Sequence, residues 1–283
     1  MPTGFRPPLA LILLVGASLP AIGDDAPPAP GALKAPPADE FVVIPLRVHI
    51  LSSGDLKDVD CALTDADIAR VLGKANGIWH QAGVHWGLES LVREPAARQG
   101  RFKAAMDAGP ADKLGVFRLL IPEDSRSDEG VDVYYIHKFS VNGVYLGNRV
   151  AFVQETAQLR PVPGGIDEPL PRVTAHELGH SLGLPHRQDV TNLLASGTTG
   201  TTLNEAEVAR ARDRARAMPG SLPVPHLRKK AEEAVVRGDH PEARRLRTWL
   251  AEIPGEGAAD ARKRLDALLP EAEKPGEPKP GSP

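Results

Sequence analysis

One run of the chain restricts it more than any other: His176-Glu177-Leu178-Gly179-His180-Ser181-Leu182-Gly183-Leu184-Pro185-His186. His176 and His180 are four residues apart, so on an α-helix their rings leave the same face, one turn above the other. Glu177 follows the first of them, where a carboxylate reaches water on a metal rather than the metal itself and acts as a general base. Gly183 can take the left-handed conformation that ends a helix without a Cβ penalty, which turns the chain and brings His186 back as a third nitrogen donor. Three protein donors leave a fourth position open, the arrangement of a catalytic zinc site rather than a structural one. The run therefore predicts a Zn2+ ion on His176, His180 and His186, with Glu177 as the catalytic residue.

A bare pair of histidines around a glutamate also occurs on ordinary helices, as two surface rings and a solvated carboxylate. The glycine and the third histidine at their spacings remove most of that ambiguity. Pro169 and Pro171 are expected to end the preceding loop, and Leu178 and Leu182 give the helix an apolar side. The extended run resembles the metzincin zinc metallopeptidases and, from His176 to about Leu203, looks most like their matrixin-like branch.

That resemblance carries expectations for other positions. Enzymes of this branch have an aspartate three residues after the third histidine and a methionine eight after it, in a turn beneath the zinc. Asp189 fills the first place, and Leu194 stands in the second. Met1, Met106 and Met218 lie elsewhere in the chain. Leucine nearly matches methionine in volume and apolarity, a swap that costs less than about 1.5 kcal/mol, so the turn Asn192-Leu193-Leu194 should survive. Asp189 is read as a turn-capping carboxylate bonded to nearby amides, not as a ligand. The tyrosine that some branches add as a further ligand has no counterpart, since no tyrosine follows Tyr145.

The resemblance also implies an α+β fold: a metzincin-like catalytic domain with a twisted mixed sheet and an active-site helix, a smaller subdomain below the zinc, and then a small helical C-terminal region. In such enzymes the sheet's edge strand pairs with an extended substrate, which would make Arg149 to Gln154 the substrate rail unless it is an ordinary core strand. The loop Ser196 to Thr202 would border the pocket for the residue after the scissile bond. The implied activity is that of a secreted zinc metalloendopeptidase acting on protein or peptide substrates, with Glu177 moving the proton from the zinc-bound water to the leaving amine. The alternatives are a secreted zinc-binding recognition protein without turnover and a narrow-specificity amide hydrolase; a retained Glu177 weighs against the first, because zinc binding alone does not need it.

Length and composition set the remaining bounds. With 283 residues the chain can hold a sizeable core plus an accessory piece. A formal charge of −3, with no long basic run before the C-terminal helices, speaks against a nucleic-acid partner. Arg6, the apolar run Leu9 to Val15 and the small residues Ala21-Ile22-Gly23 read as a secretory signal cleaved near Gly23, so residues 1–23 are expected to be removed on export to a secreted, extracellular or periplasmic location. The apolar stretch is too short to span a bilayer, and stable membrane insertion is not expected. Cys61 is the only cysteine and is read as a free thiol in a loop, not as a latency switch on the zinc. Structural Ca2+ near Glu123-Asp124 and Asp128-Glu129 is the other cation considered, although acidic loops are usually just solvated.

The organisation follows from pattern. Residues 24–40 read as a disordered Pro/Ala-rich linker, 41–218 as the zinc metallopeptidase domain, 219–270 as a helical appendage, and 271–283 as a disordered tail. Phe41 to Leu51 is expected to be a strand with Pro45 marking an edge or a bulge. Thr64 should cap a helix carrying Ile68, Val71, Leu72, Ala75, Ile78 and Trp79. Val84 to Val92, Val116 to Ile121, Val131 to Phe139 and Arg149 to Gln154 read as further strands, and Ala104 to Ala108 as a short helix. Asn142-Gly143 and Gly147-Asn148 mark turns. A helix from Leu203 or Asn204 closes the domain near Met218. Leu227 to Val236, Pro241 to Leu250 and Ala258 to Leu269 then form either a solvated helical appendage or a module for a protein partner. Of the remaining histidines, His49, His80, His85, His137, His226 and His240, only His137 is placed where it can approach the cleft.

Overall fold

A computed structural model of the protein describes residues 33–110 and 112–268; the expected signal segment, most of the expected linker and the expected C-terminal tail lie outside them. Strand β1 (Val42–Ser52) buries both faces. Val42, Ile44, Leu46, Val48 and Ile50 join one core, while Val43 and Leu51 enter two others on the opposite side. Burial on both faces is the mark of an interior strand. β1 is one, with β2 (Val84–Pro95) and β3 (Val131–Ile136) parallel on either side. Of the two expectations for Pro45, edge or bulge, the strand is no edge, and the β1–β2 register shifts between Leu46 and Arg47, next to it.

The sheet runs β2-β1-β3-β5-β4, with β5 (Val150–Gln154) parallel to β3 and β4 (Gly143–Gly147) antiparallel to β5 at the edge. Asn148 and Arg149 have φ values of 51° and 64° and link β4 to β5, the positive pair that a two-residue hairpin turn requires. A two-residue β6 (Leu222–Pro223) pairs antiparallel with the start of β1. The result is a mixed sheet with helices packed on it, an α+β architecture.

Helix α1 (Asp65–Trp79) begins in a reciprocal Thr64–Asp67 capping box, and the predicted apolar positions all face inward. It packs on α3 (Pro169–Ser181), where the Trp79 indole donates to the Ala175 carbonyl at 3.2 Å. α3 starts earlier than the prolines implied. Pro169 and Pro171 lie in its first turn, where helix amides have no intrahelical partner and a missing N–H costs nothing. Val116 to Ile121 is not a strand but part of a 3-10 helix, Gly115–Leu120, that sends Phe117 and Leu120 into the core behind the sheet. A short apolar run has no period by which the two can be told apart. α2 (Gln99–Asp107) extends the short helix expected there.

α4 (Glu205–Arg216) is followed by α5 (Val224–Val236), α6 (His240–Glu252) and α7 (Glu256–Leu268). The last three share a core with Phe41 and Val43. Trp249 of α6 lies flat over Gly87 of β2: a Cβ there would meet the indole at 2.5 Å, and its Nε1 donates to the Leu88 carbonyl at 3.0 Å. The segment 33–40, expected to be disordered, ends instead in a single 3-10 turn, Ala38–Glu40, with Ala38 buried in that same core. Among the described residues no helix is long and apolar enough to cross a membrane.

Candidate metal centre

Helix α3 carries His176 and His180 on one face. Gly183, at φ 76°, turns the chain so that His186 returns to them. The Nε2 atom of His180 lies 3.1 Å from that of His176 and 3.1 Å from that of His186. Donors on a tetrahedral zinc with Zn–N near 2.0–2.1 Å are separated by about 3.3 Å, so the three rings fit that ion. Their outer nitrogens agree. His176 Nδ1 lies 2.8 Å from the Leu193 carbonyl and His180 Nδ1 2.8 Å from the Leu184 carbonyl. A carbonyl can only accept, so each Nδ1 carries the proton and each Nε2 presents its lone pair inward, as metal ligation requires. Among the described residues this is the one group of three or more His, Cys, Asp or Glu side chains able to hold a metal ion.

Burial, reinforced by the nearby Arg172 charge, lowers His176 to about 2, and burial lowers His180 to about 4, so both rings are neutral donors near pH 7. Burial raises Glu177 to about 8, opposed by the Arg172 charge and the Tyr145 main chain. A carboxyl held in that range can both take up and release a proton near neutrality. Its position depends on the edge strand. A Cβ on Gly143 would come within 2.6 Å of Glu177 Oε1 and 2.8 Å of its Cγ, so only glycine at the start of β4 leaves room for this carboxylate.

Sequence reasoning missed several supports of the site. Arg172, one turn before His176 and 1% exposed, donates to the carbonyls of Gly200, Asn192 and Ala195, which fastens the chain beyond His186 to the motif helix. Glu207 of α4, fully buried, accepts from Arg187 Nε at 2.6 Å and Asn192 Nδ2 at 2.8 Å, and so anchors the residue next to His186. The signal for Glu207 was available: Asn204 and Glu207 form a capping box whose spacing is visible in the sequence. Nothing local announced Gly143 or the contacts of Arg172. Asp189 Oδ1 accepts from the Thr191 amide and hydroxyl, both at 2.9 Å, as a turn cap does. Leu194 is fully buried beneath α3, and a Cβ on Gly179 would stand 3.2 Å from its Cδ1.

The triad opens on a cleft of about 440 Å3 between β4 and the loop at Ser196-Gly197, with Leu159 and Val173 on its walls. The expected rail is corrected here. β5, residues 150–154, lies inside the sheet between β3 and β4, and β4 is the strand at the cleft. His137 does not reach the cleft. Its Nδ1 pairs with Glu155 Oε1 at 2.6 Å, and Cys61 Sγ donates to the other oxygen of that carboxylate at 3.3 Å. Burial pushes the Cys61 thiol far up. Glu123, Asp124 and Asp128 line a polar cavity together with Arg47, Arg126 and Arg149, without converging as cation ligands.

No protein-family model matches the chain, and no curated protein sequence does. Solved structures do resemble it. The archaemetzincin of Methanopyrus kandleri aligns at 14% identity over 62% of this chain and 97% of that one, with a TM-score of 0.40. Metalloproteinase-II of Bacteroides fragilis aligns at 12% identity over 66% and 55%, with a TM-score of 0.34. A chain described as part of a chaperone–substrate complex aligns at 11% identity over 63% and 34%, with a TM-score of 0.37. This chain thus spans about a third of the last and about half of the Bacteroides enzyme. Likenesses at this distance carry no argument about activity, which rests on the site.

Proposed function

We propose that the chain is an exported zinc-dependent endopeptidase of the metzincin type, with the matrixin-like features noted above and leucine in place of the usual methionine. One observation carries the reading: three Nε2 atoms converge at zinc-ligand spacing with the carboxylate of Glu177 beside them, at the foot of a cleft edged by β4. Zinc bound there would supply Lewis acidity, bringing a water's pKa toward ~7 and polarising a carbonyl. His176, His180 and His186 would hold it, and the Leu193 and Leu184 carbonyls fix the rings of the first two. The Glu177 carboxylate takes the proton from the attacking water and delivers it to the leaving amine. β4 offers an unpaired strand edge to which an extended peptide adds by main-chain hydrogen bonds. The walls formed by Leu159 and Val173 shed water from the bound segment.

The purified chain should bind one zinc and cut casein or quenched peptides in a chelator-sensitive way. Glu177→Gln should keep the zinc and lose hydrolysis by about 100-fold or more, as removal of a general base does. Unchanged hydrolysis in that variant would overturn the mechanism. Zinc binding by the unaltered chain without cleavage of any peptide would favour the zinc-binding recognition protein instead.

A further inference from the structure

We propose that Arg172 gives the cleft a preference for acidic substrates, its Nη1 group pairing with an Asp or Glu side chain of the bound peptide; the inference rests on the peptidase reading above. A guanidinium has five N–H donors. Nε is spent on the Gly200 carbonyl at 3.0 Å, and Nη2 on the carbonyls of Asn192 and Ala195. Nη1 points at His176 Nδ1, 3.2 Å away. That contact is a close approach and not a hydrogen bond, because Nδ1 already carries the proton that goes to the Leu193 carbonyl. When His176 offers Nε2 to an ion, its proton sits on Nδ1 and goes to the Leu193 carbonyl at 2.8 Å, and a nitrogen that donates cannot accept from Arg172. Both Nη1 hydrogens are then left without an acceptor among the described contacts.

No carboxylate comes within ion-pair distance of Arg172 among the described residues, although its charge is coupled to that of Glu177, whose carboxylate packs against Gly143. The result is a cation 1% exposed to solvent, lining a cleft to which Leu159 and Val173 add apolar wall. Buried donors that carry charge gain most from an ionised acceptor, and a site built to bond a substrate group rejects analogues that lack it. A carboxylate side chain satisfies the two hydrogens and the charge together. A lysine or arginine side chain at the same place meets repulsion, and an amide meets only the hydrogens. Arg160, whose main chain bridges to Thr198 beside the cleft, is a second cation against which the preference can be checked, and its side chain is exposed.

The test separates this inference from the peptidase reading by measuring binding as well as cleavage. Hexapeptides identical except for Glu, Gln or Lys at one position in turn are titrated into the zinc-loaded Glu177→Gln protein by fluorescence anisotropy, and the same peptides are given to the unaltered enzyme. At one position, Glu should bind at least about tenfold tighter than Gln, with Lys weakest, and kcat/KM of the unaltered enzyme should follow the same order. Arg172→Gln should erase the discrimination, and Arg160→Ala should leave it. Should Arg172→Gln lose its fold, the Glu-to-Gln ratio on the intact protein together with its persistence in Arg160→Ala decides the matter. Equal binding of all three peptides at every position, or loss of the preference in Arg160→Ala, overturns the proposal while any cleavage leaves the peptidase reading in place. Selective binding of Glu peptides without cleavage by the unaltered chain supports the role of Arg172 and overturns the peptidase reading.

Discussion

The histidine triad and the buried His49, on opposite sides of the same sheet, use one chemical group in contrary ways. In the metal centre each outer nitrogen of His176 and His180 faces a backbone carbonyl, and the inner nitrogens converge on a point with no hydrogen to fill it. Behind the sheet, His49 is fully buried and stacked on Tyr134 at 4.1 Å. Its Nδ1 meets Glu94 at 2.7 Å and its Nε2 meets Asp132 at 3.2 Å, so both nitrogens are spent on carboxylates. Histidine binds metal only with a lone pair to spare. The difference between ligand and structural residue lies in what occupies the second nitrogen, not in burial or ring type.

Replacing His180 or His49 should break the chain in different ways. His180→Ala removes the ring that lies 3.1 Å from both other donors. Zinc content measured by atomic absorption should fall from one per chain to none, and hydrolysis should vanish, while the metal-free fold melts close to the metal-free parent. His49→Ala should keep its zinc. It strips a partner from Asp132, which is 1% exposed and keeps the Ser127 amide and Arg126, and from Glu94. Leaving a buried polar group short of a hydrogen-bond partner costs about 1–3 kcal/mol, to be read from the urea midpoint at constant m. A His49→Ala protein that lost zinc at full stability would erase the distinction.

How much of this was legible follows the range of each interaction. His176, Glu177, His180, Gly183 and His186 act over one helix and its exit, so their spacing alone places them. The caps of α1 and α4 are equally local. The cleft's other wall is not. β4 is short and begins and ends in glycine, and Gly143 and Gly147 read as turn residues, when in fact the turn is at Asn148-Arg149 and a strand lies on each side of it. With β4 unseen, the pattern of β5 left edge strand and core strand both open, and the sheet makes it a core strand. The same holds for Arg172 and for the bonds of Glu207 to Arg187 and Asn192, whose partners only the fold brings near. Pro45 left edge and bulge both open, because a proline speaks against a regular central strand, and only the β1–β2 pairing, with its register shift beside it, decides for the bulge.

Gly143 tests whether the open point in front of the histidines is held open by the strand. A methyl group there would come within 2.6 Å of Glu177 Oε1 and 2.8 Å of Val173 Cγ1. Gly143→Ala should displace the carboxylate and lower kcat by about 10- to 100-fold, the share that a positioned proton carrier contributes. Zinc content and the visible spectrum of a cobalt-substituted protein should stay unchanged, because no histidine contact is touched. A spectrum that shifted with kcat would mean the strand holds the metal ligands rather than the base.

The smallest effect is expected beneath the triad. Leu194 is fully buried and faces Gly179, between the two helical ligands, where a Cβ would stand 3.2 Å from its Cδ1 and 3.3 Å from the Trp79 ring. Its place in the turn is fixed by backbone contacts: its amide takes the Asn192 side-chain oxygen at 2.7 Å and its carbonyl accepts from the Arg187 amide at 3.0 Å. Leu194→Met keeps those contacts and nearly the same volume. The cost should therefore stay below about 1.5 kcal/mol, with zinc affinity and kcat changed by less than about threefold. The floor would then be shape and apolarity alone, in keeping with a centre whose selectivity for metal comes entirely from the unspent nitrogens above it. A gain or loss of tenfold in zinc affinity would show instead that the side chain under the ligands tunes them, and the contrast with His49 would need a third element besides the second nitrogen.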